Sequence, residues 1–180
     1  GSHDLFRLPF LSRSIGTIVN NVRSTPFIIL IITIIPLTRL ITGTSIGTTA
    51  AIVPLTIASI PFIARITEAA IREVDRGLIE AATAMGATPL QIIFKVLVPE
   101  ALPGILLGLT LAMVSLIGYA AMVGAVGGGG LGDLGIRYGY QRFMPEVMAA
   151  VVVILILLVQ IVQTGGEFLA RQVNHRIRSN

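Results

Sequence analysis

Residues 101–132 read ALPGILLGLTLAMVSLIGYAAMVGAVGGGGLG, a run of 32 positions without one Asp, Glu, Lys or Arg. A helix needs roughly 20 mainly apolar residues to cross the ~30 Å hydrocarbon core of a bilayer, so this run holds a membrane span with length to spare. Residues 24–38, 40–64 and 147–166 are equally free of charge. The whole chain of 180 residues carries 12% charged and 54% hydrophobic side chains, with a mean hydropathy of +0.89. An average soluble domain carries roughly 25% charged residues. So much apolar surface excludes an ordinary soluble enzyme and a disordered chain. It predicts an all-α, polytopic membrane bundle of four spans, a single transmembrane domain over residues 1–180.

The first span starts after Thr25, a helix cap preceding Pro26, and runs through Pro36 to Ile41. The second covers residues 46–64 and contains Pro54 and Pro61, which are tolerated where neighbouring helices or a polar cavity satisfy the freed carbonyls. The third and fourth cover residues 105–126 and 147–162, with a Gly-rich loop, 127–145, between them. Ahead of the spans, Leu11, Ile15, Ile18, Val19 and Val22 recur at helical spacing. Residues 1–25 therefore read as an amphipathic segment on the membrane surface or a short helix packed on the bundle. Ten basic residues (Arg7, Arg13, Arg23, Arg65, Arg72, Arg76, Lys95, Arg171, Arg176 and Arg178) fall on one side of the spans, and Arg39, Arg137 and Arg142 on the other. That asymmetry puts residues 1–25, the middle loop 65–104 and the tail 164–180 in the cytoplasm, and 127–145 outside. The basic residues are scattered singly, which argues against a nucleic-acid partner. With no Cys, and His3 and His175 at the two ends, no metal site or catalytic residue is predicted.

The middle loop carries the densest local signals. Asp75 caps a helix in which Leu78, Ala81, Ala82 and Met85 recur at i, i+3, i+4 and i+7 before Gly86 stops it. Thr88-Pro89-Leu90-Gln91 then has the form of a capping box with proline at the first helical position, opening a second helix that is expected to end at Pro99. On physics alone the element is as readily a re-entrant or surface-packing loop as a moving part. A DNA-reading helix-turn-helix is disfavoured, because only Lys95 of the second helix could reach a phosphate.

Glu80-Ala81-Ala82, three residues, Gly86, nine residues and Val96-Leu97-Val98-Pro99 resemble the EAA loop of permease subunits of bacterial ATP-binding-cassette importers. The resemblance implies that Glu80, Ala81, Ala82, Met85, Gly86, Ala87 and Pro99 belong to a coupling helix that docks in a groove of an ATP-binding subunit. Residues 43–47, 51–56, 61–65, 84–89 and 99–104, together with Gly118-Tyr119 and 124–140, are similar to the methionine-importer branch of these permeases. What this implies is a homodimer in the bacterial inner membrane with two ATP-binding subunits beneath it and a periplasmic or lipid-anchored binding protein above, importing D- or L-methionine. The branch usually has five spans where four are read here, the difference falling at the N-terminal side.

The only lysine, Lys95, follows Phe94, so no Walker A loop is present and ATP with its Mg would be bound by the partner subunit, not by this chain. Gly130, Gly132 and Gly135 form a GxGxxG, but it follows a membrane helix and no strand, so it reads as a flexible or tightly turned external loop where a binding protein docks. In the third span Ser115, Gly118, Tyr119 and Met122 share one helical face, which either lines the substrate path or packs against another helix. By resemblance Met122 matches a residue that closes the path. Gly104, Gly108 and Ala112 form a stripe suited to close helix packing, and Arg65, Glu68 and Arg72 an ion-pair ladder. The competing reading is an ATP-independent secondary transporter or channel for a small solute, which would normally carry an acid deep in a span; none is found there.

Overall fold

The computed structural model describes residues 26–174, and every regular element among them is helical. In chain order these are α1 (Phe27–Thr33), α2 (Ile35–Thr42), α3 (Thr48–Arg72), α4 (Arg76–Ala84), α5 (Pro89–Ile92), α6 (Val98–Val123), α7 (Gly130–Leu134) and α8 (Pro145–Val173). A wide π-type turn over Ile93–Leu97 joins α5 to α6; a kinked segment, Gly124–Gly128, in which Val126 and Gly127 leave helical geometry, and a second wide turn over Gly135–Tyr140 flank α7. The predicted segment 1–25, the Thr25 cap, and Arg176 and Arg178 of the tail lie outside the described residues. The chain is an all-α membrane bundle: α3, α8 and the Pro89–Gly128 rod that contains α6 are each long and apolar enough to cross a bilayer.

The first expected span is bent. α1 and α2 meet at Ile34 (φ −94°, ψ 6°), because Pro36 lacks an N–H and its ring crowds the carbonyl of Ile32. Hydrogen bonds from Ile34 N–H to Leu30 and from Thr38 N–H to Ile34 carry the chain across the bend.

α8, expected over 147–162, runs from Pro145 to Val173, so the first ten residues of the expected tail are helical. Three further boundaries differ from expectation, each for a local reason. α3 does not stop before Arg65 but continues two turns to Arg72. The charges beyond the uncharged run form the ladder their spacing predicts and keep the helix going: Arg65 Nη1 donates to Glu68 Oε2 at 3.1 Å and Arg72 Nη2 to Glu68 Oε1 at 2.6 Å. Such exposed pairs contribute only about 0.3–0.5 kcal/mol each, enough to favour one more turn and too little to hold a tertiary contact. Nor does the second helix of the middle loop end at Pro99. Over Ile93–Leu97 the helix widens, Val98 N–H reaching back five residues to the Ile93 carbonyl, and Pro99 then sits in the first turn of α6, where a missing N–H costs little. The Gly-rich stretch, finally, is a tight turn followed by helical turns: the chain bends sharply at Val126–Gly130, with Gly127, Gly129 and Gly130 at φ 91°, 76° and 77°, and is helical from Gly130 to Tyr140. A Cβ on Gly132 would strike the Ala121 backbone and one on Gly124 the backbone of Gly132 and Asp133, so these glycines let α7 fold tightly onto the end of α6 instead of supplying slack.

α3 and α8 both pack along α6. A Cβ on Gly104 would stand 3.2 Å from the Ala70 Cβ, and one on Gly108 would collide with Ile66, so the small-residue stripe faces α3. On α8, Gly166 meets the Thr110 side chain in the same way. Phe27, Leu30, Ile31 and Val123 form the buried cluster, with Leu55 and Tyr119 packed against it. Pro54 and Pro61 of α3 are buried as well, so the two breaks in that ladder face protein.

Replacing Gly108 with Leu should push α3 off α6 and cost about 1–3 kcal/mol by overpacking. The check is a lower thermal unfolding midpoint in detergent, with Gly165→Ala, which has no neighbour within 4 Å, as the neutral or slightly stabilised control.

Candidate coupling and translocation site

The element between α3 and α6 is built from local caps. Asp75 Oδ1 accepts the Gly77 N–H at 2.8 Å and so opens α4. At the other end Gly86 adopts φ 79°, its N–H donates to the Thr83 carbonyl at 2.9 Å and the Ala87 N–H to that of Ala82 at 3.1 Å. This is the paired closure that a left-handed residue makes possible after a helix. Thr88 and Gln91 then satisfy each other: Gln91 Oε1 accepts the Thr88 N–H at 2.9 Å and Thr88 Oγ1 the Gln91 N–H at 3.4 Å. Three caps within 17 residues fix the angle between α4 and α5, each cap contributing about 1 kcal/mol.

Of the seven residues assigned to coupling, Ala82 is buried at 4% exposure and Ala87 half-buried, whereas Glu80, Ala81, Gly86 and Pro99 are exposed and Met85 is 81% exposed. The amphipathic face is thus only partly used inside the chain. Leu90 and Phe94, not singled out from the sequence, are 66% and 68% exposed on the following helix and widen turn. Their i, i+4 spacing, each followed by a polar residue, Gln91 and Lys95, was the available signal. A methionine, a leucine and a phenylalanine are thus left uncovered on an element whose angle is fixed by its caps.

Of the four residues on the expected path face, one is taken up in helix packing. Tyr119 stacks on Phe27, ring centroids 4.3 Å apart at 23°, and so belongs to the packing of α1 on α6. Ser115 Oγ donates to the Leu111 carbonyl of its own helix at 2.9 Å. Gly118 and Met122 remain exposed, with Leu111 on the same side of α6. A separate apolar groove, lined by Ile52, Leu55, Thr56, Ser59, Leu116 and Ile117, runs between α3 and α6 and includes none of the four.

Comparison with known proteins follows the same lines. Residues 4–179 match the family model described as binding-protein-dependent transport system inner membrane component. The chain is 60% identical over 166 residues to the probable D-methionine transport system permease protein MetI of Vibrio cholerae, covering 92% of this chain and 74% of the relative. It is 44% identical to the methionine import system permease protein MetP of Bacillus subtilis, covering 90% and 73%. Among solved structures, an inward-facing conformation of the MetNI methionine ABC transporter superposes with a TM-score of 0.87 at 53% identity, covering 92% of this chain and 76% of that one.

If Gly86 sets the angle of the element, Gly86→Ala should cost about 1 kcal/mol through its left-handed backbone alone, since a Cβ there meets nothing within 4 Å. Hydrogen–deuterium exchange should then quicken over residues 82–91 more than over α3, α6 or α8.

Proposed function

Because this chain belongs to the family of binding-protein-dependent transport system inner membrane components, we propose that it is the membrane permease of an ATP-driven methionine importer. Two copies form one translocation path, since three or four spans are too few to enclose one alone. Each copy docks an ATP-binding subunit on the α4–α5 element, and a periplasmic or lipid-anchored binding protein delivers methionine from the other side. The observation that carries the reading is the capped two-helix element, which holds Met85, Leu90 and Phe94 uncovered at the basic end of the bundle.

The mechanism follows from the continuity of the rod. α5, the wide turn and α6 form one unbroken helical path from Pro89 to Val123, so a push on α4 and α5 is delivered along α6 to Gly118 and Met122. ATP-driven approach of the two partner subunits brings the two elements together at the cytoplasmic side and parts the bundle at the far side, where Met122 sits near the end of α6. Hydrolysis then resets the inward-facing arrangement. The chain itself makes and breaks no covalent bond. Met122 contributes an adaptable apolar plug, well suited to closing a path without binding a polar substrate. In the substrate, the ammonium and carboxylate groups are left to the binding protein to recognise.

Proteoliposomes holding the permease with its ATP-binding subunit and binding protein should take up labelled methionine only when ATP is present; flux through the permease alone would favour the channel reading. Glu80→Arg should abolish that uptake with the permease still folded. Met122→Ala should leave the complex assembled and raise ATP turnover in the absence of substrate.

A further inference from the structure

At the end of the bundle opposite the capped element, aromatic side chains stand with nothing covering them. Tyr140 is 69% exposed and Phe143 87%, and Tyr138 and Met144 are partly exposed beside them. Phe143 is also the one non-glycine residue with positive φ, 54°, among the described residues. That conformation is unfavourable for a bulky side chain and persists only where its surroundings impose it. Here the turn is imposed by the backbone, Phe143 N–H donating to the Tyr140 carbonyl at 3.4 Å and Met144 N–H to that of Tyr138 at 3.2 Å. The result is a ring displayed outward. Next to it the Arg142 guanidinium lies over the Tyr138 ring, 4.5 Å from its centroid.

The position of this turn identifies what it meets. Pro145 opens α8 two residues further on, and after Glu146 no charge occurs until Glu167. α8 is the least covered of the three long helices: only 6% of its most apolar window is buried, and Val153, Ile156, Leu157 and Ile161 are exposed. In a bilayer such a flank is covered by acyl chains. The aromatic turn is continuous with that flank and sits at the level where charge resumes, which is the headgroup region. Aromatic rings are enriched at that depth, and an arginine there can reach lipid phosphates while its stem lies along a ring.

We propose that residues 138–144 form an interfacial anchor: Phe143 and Tyr140 insert at the headgroup–acyl boundary, Arg142 is offered to lipid phosphates, and together they set the depth of α8 in the membrane. The proposal rests only on α8 crossing the bilayer, so it stands or falls separately from the substrate and from the ATP-binding partner.

The chain contains no Trp, so F143W supplies a single emitter. The full chain in phosphatidylcholine nanodiscs is read with lipids brominated near the headgroup, with lipids brominated near the chain ends, and with aqueous acrylamide. I156W serves as the mid-span reference and M85W as the water-exposed one. The expected result is F143W emission blue-shifted from that of M85W, lost mostly to the shallow bromines, little to the deep bromines that quench I156W, and little to acrylamide. Y140W should behave alike, which keeps the test open if one variant fails to fold. Quenching by acrylamide as full as in M85W would overturn the anchor and leave the patch to a soluble partner. Protection from both kinds of quencher would overturn it too, placing the ring under protein.

Discussion

In a bilayer no hydrophobic force draws apolar helices together, since acyl chains solvate them as well as a neighbouring helix does. The contact of α6 with α3 and α8 therefore rests on side chains that are missing: Gly108 beneath Ile66, Gly104 beneath Ala70 and Gly166 beneath Thr110. These places let backbones approach until dispersion over many atoms becomes worth the lost lipid contact. α1, α7 and the α4–α5 element are positioned from the helix that carries two of these glycines. α1 is held to it by the Phe27–Tyr119 stack, α7 folds back on its far end through Gly124 and Gly132, and the α4–α5 element is attached to its near end without a break in the helical path.

This arrangement divides the labour between the two ends of one rod. The far part is apolar and open along Gly118 and Met122. The near part is stiff, but its stiffness does not come from ion pairs. The Arg65–Glu68–Arg72 ladder is half-exposed and contributes well under 1 kcal/mol per pair, whereas the three caps at Asp75, Gly86 and Thr88 are local, cooperative and geometrically specific. Caps of this kind fix an angle without burying surface. That leaves Met85, Leu90 and Phe94 available for a partner, an arrangement a well-covered loop could not offer.

How much of this is legible in the residues depends on the distance over which each signal acts. The caps are readable because donor and acceptor lie within five residues, as in Thr88 with Gln91 and Gly86 with Thr83. The membrane class is readable because long uncharged runs have few other uses. Helix ends are less so: the Arg65, Glu68 and Arg72 ladder is legible from its spacing, yet the end of the uncharged run at residue 64 marks where apolar surface stops and not where the helix does, and Pro99 looks like a stop until the widened turn before it is seen. The glycines of 124–135 read as a loop that is either flexible or tightly turned, and what decides for the tight turn is backbone belonging to another turn of chain. Tyr119 shares a wheel face with Met122, yet its partner Phe27 lies 92 positions earlier, beyond the reach of any periodicity.

The central claim is that the capped element and the Met122 region belong to one body moved by nucleotide. The chain has no cysteine, so spin labels on M85C or on M122C report the separation of the two copies at either end of the rod. Measured by double electron–electron resonance in the complex with its ATP-binding partner, trapped ATP should shorten the distance between the two M85C labels and lengthen that between the two M122C labels. A nucleotide-driven change at one site with none at the other would contradict the account.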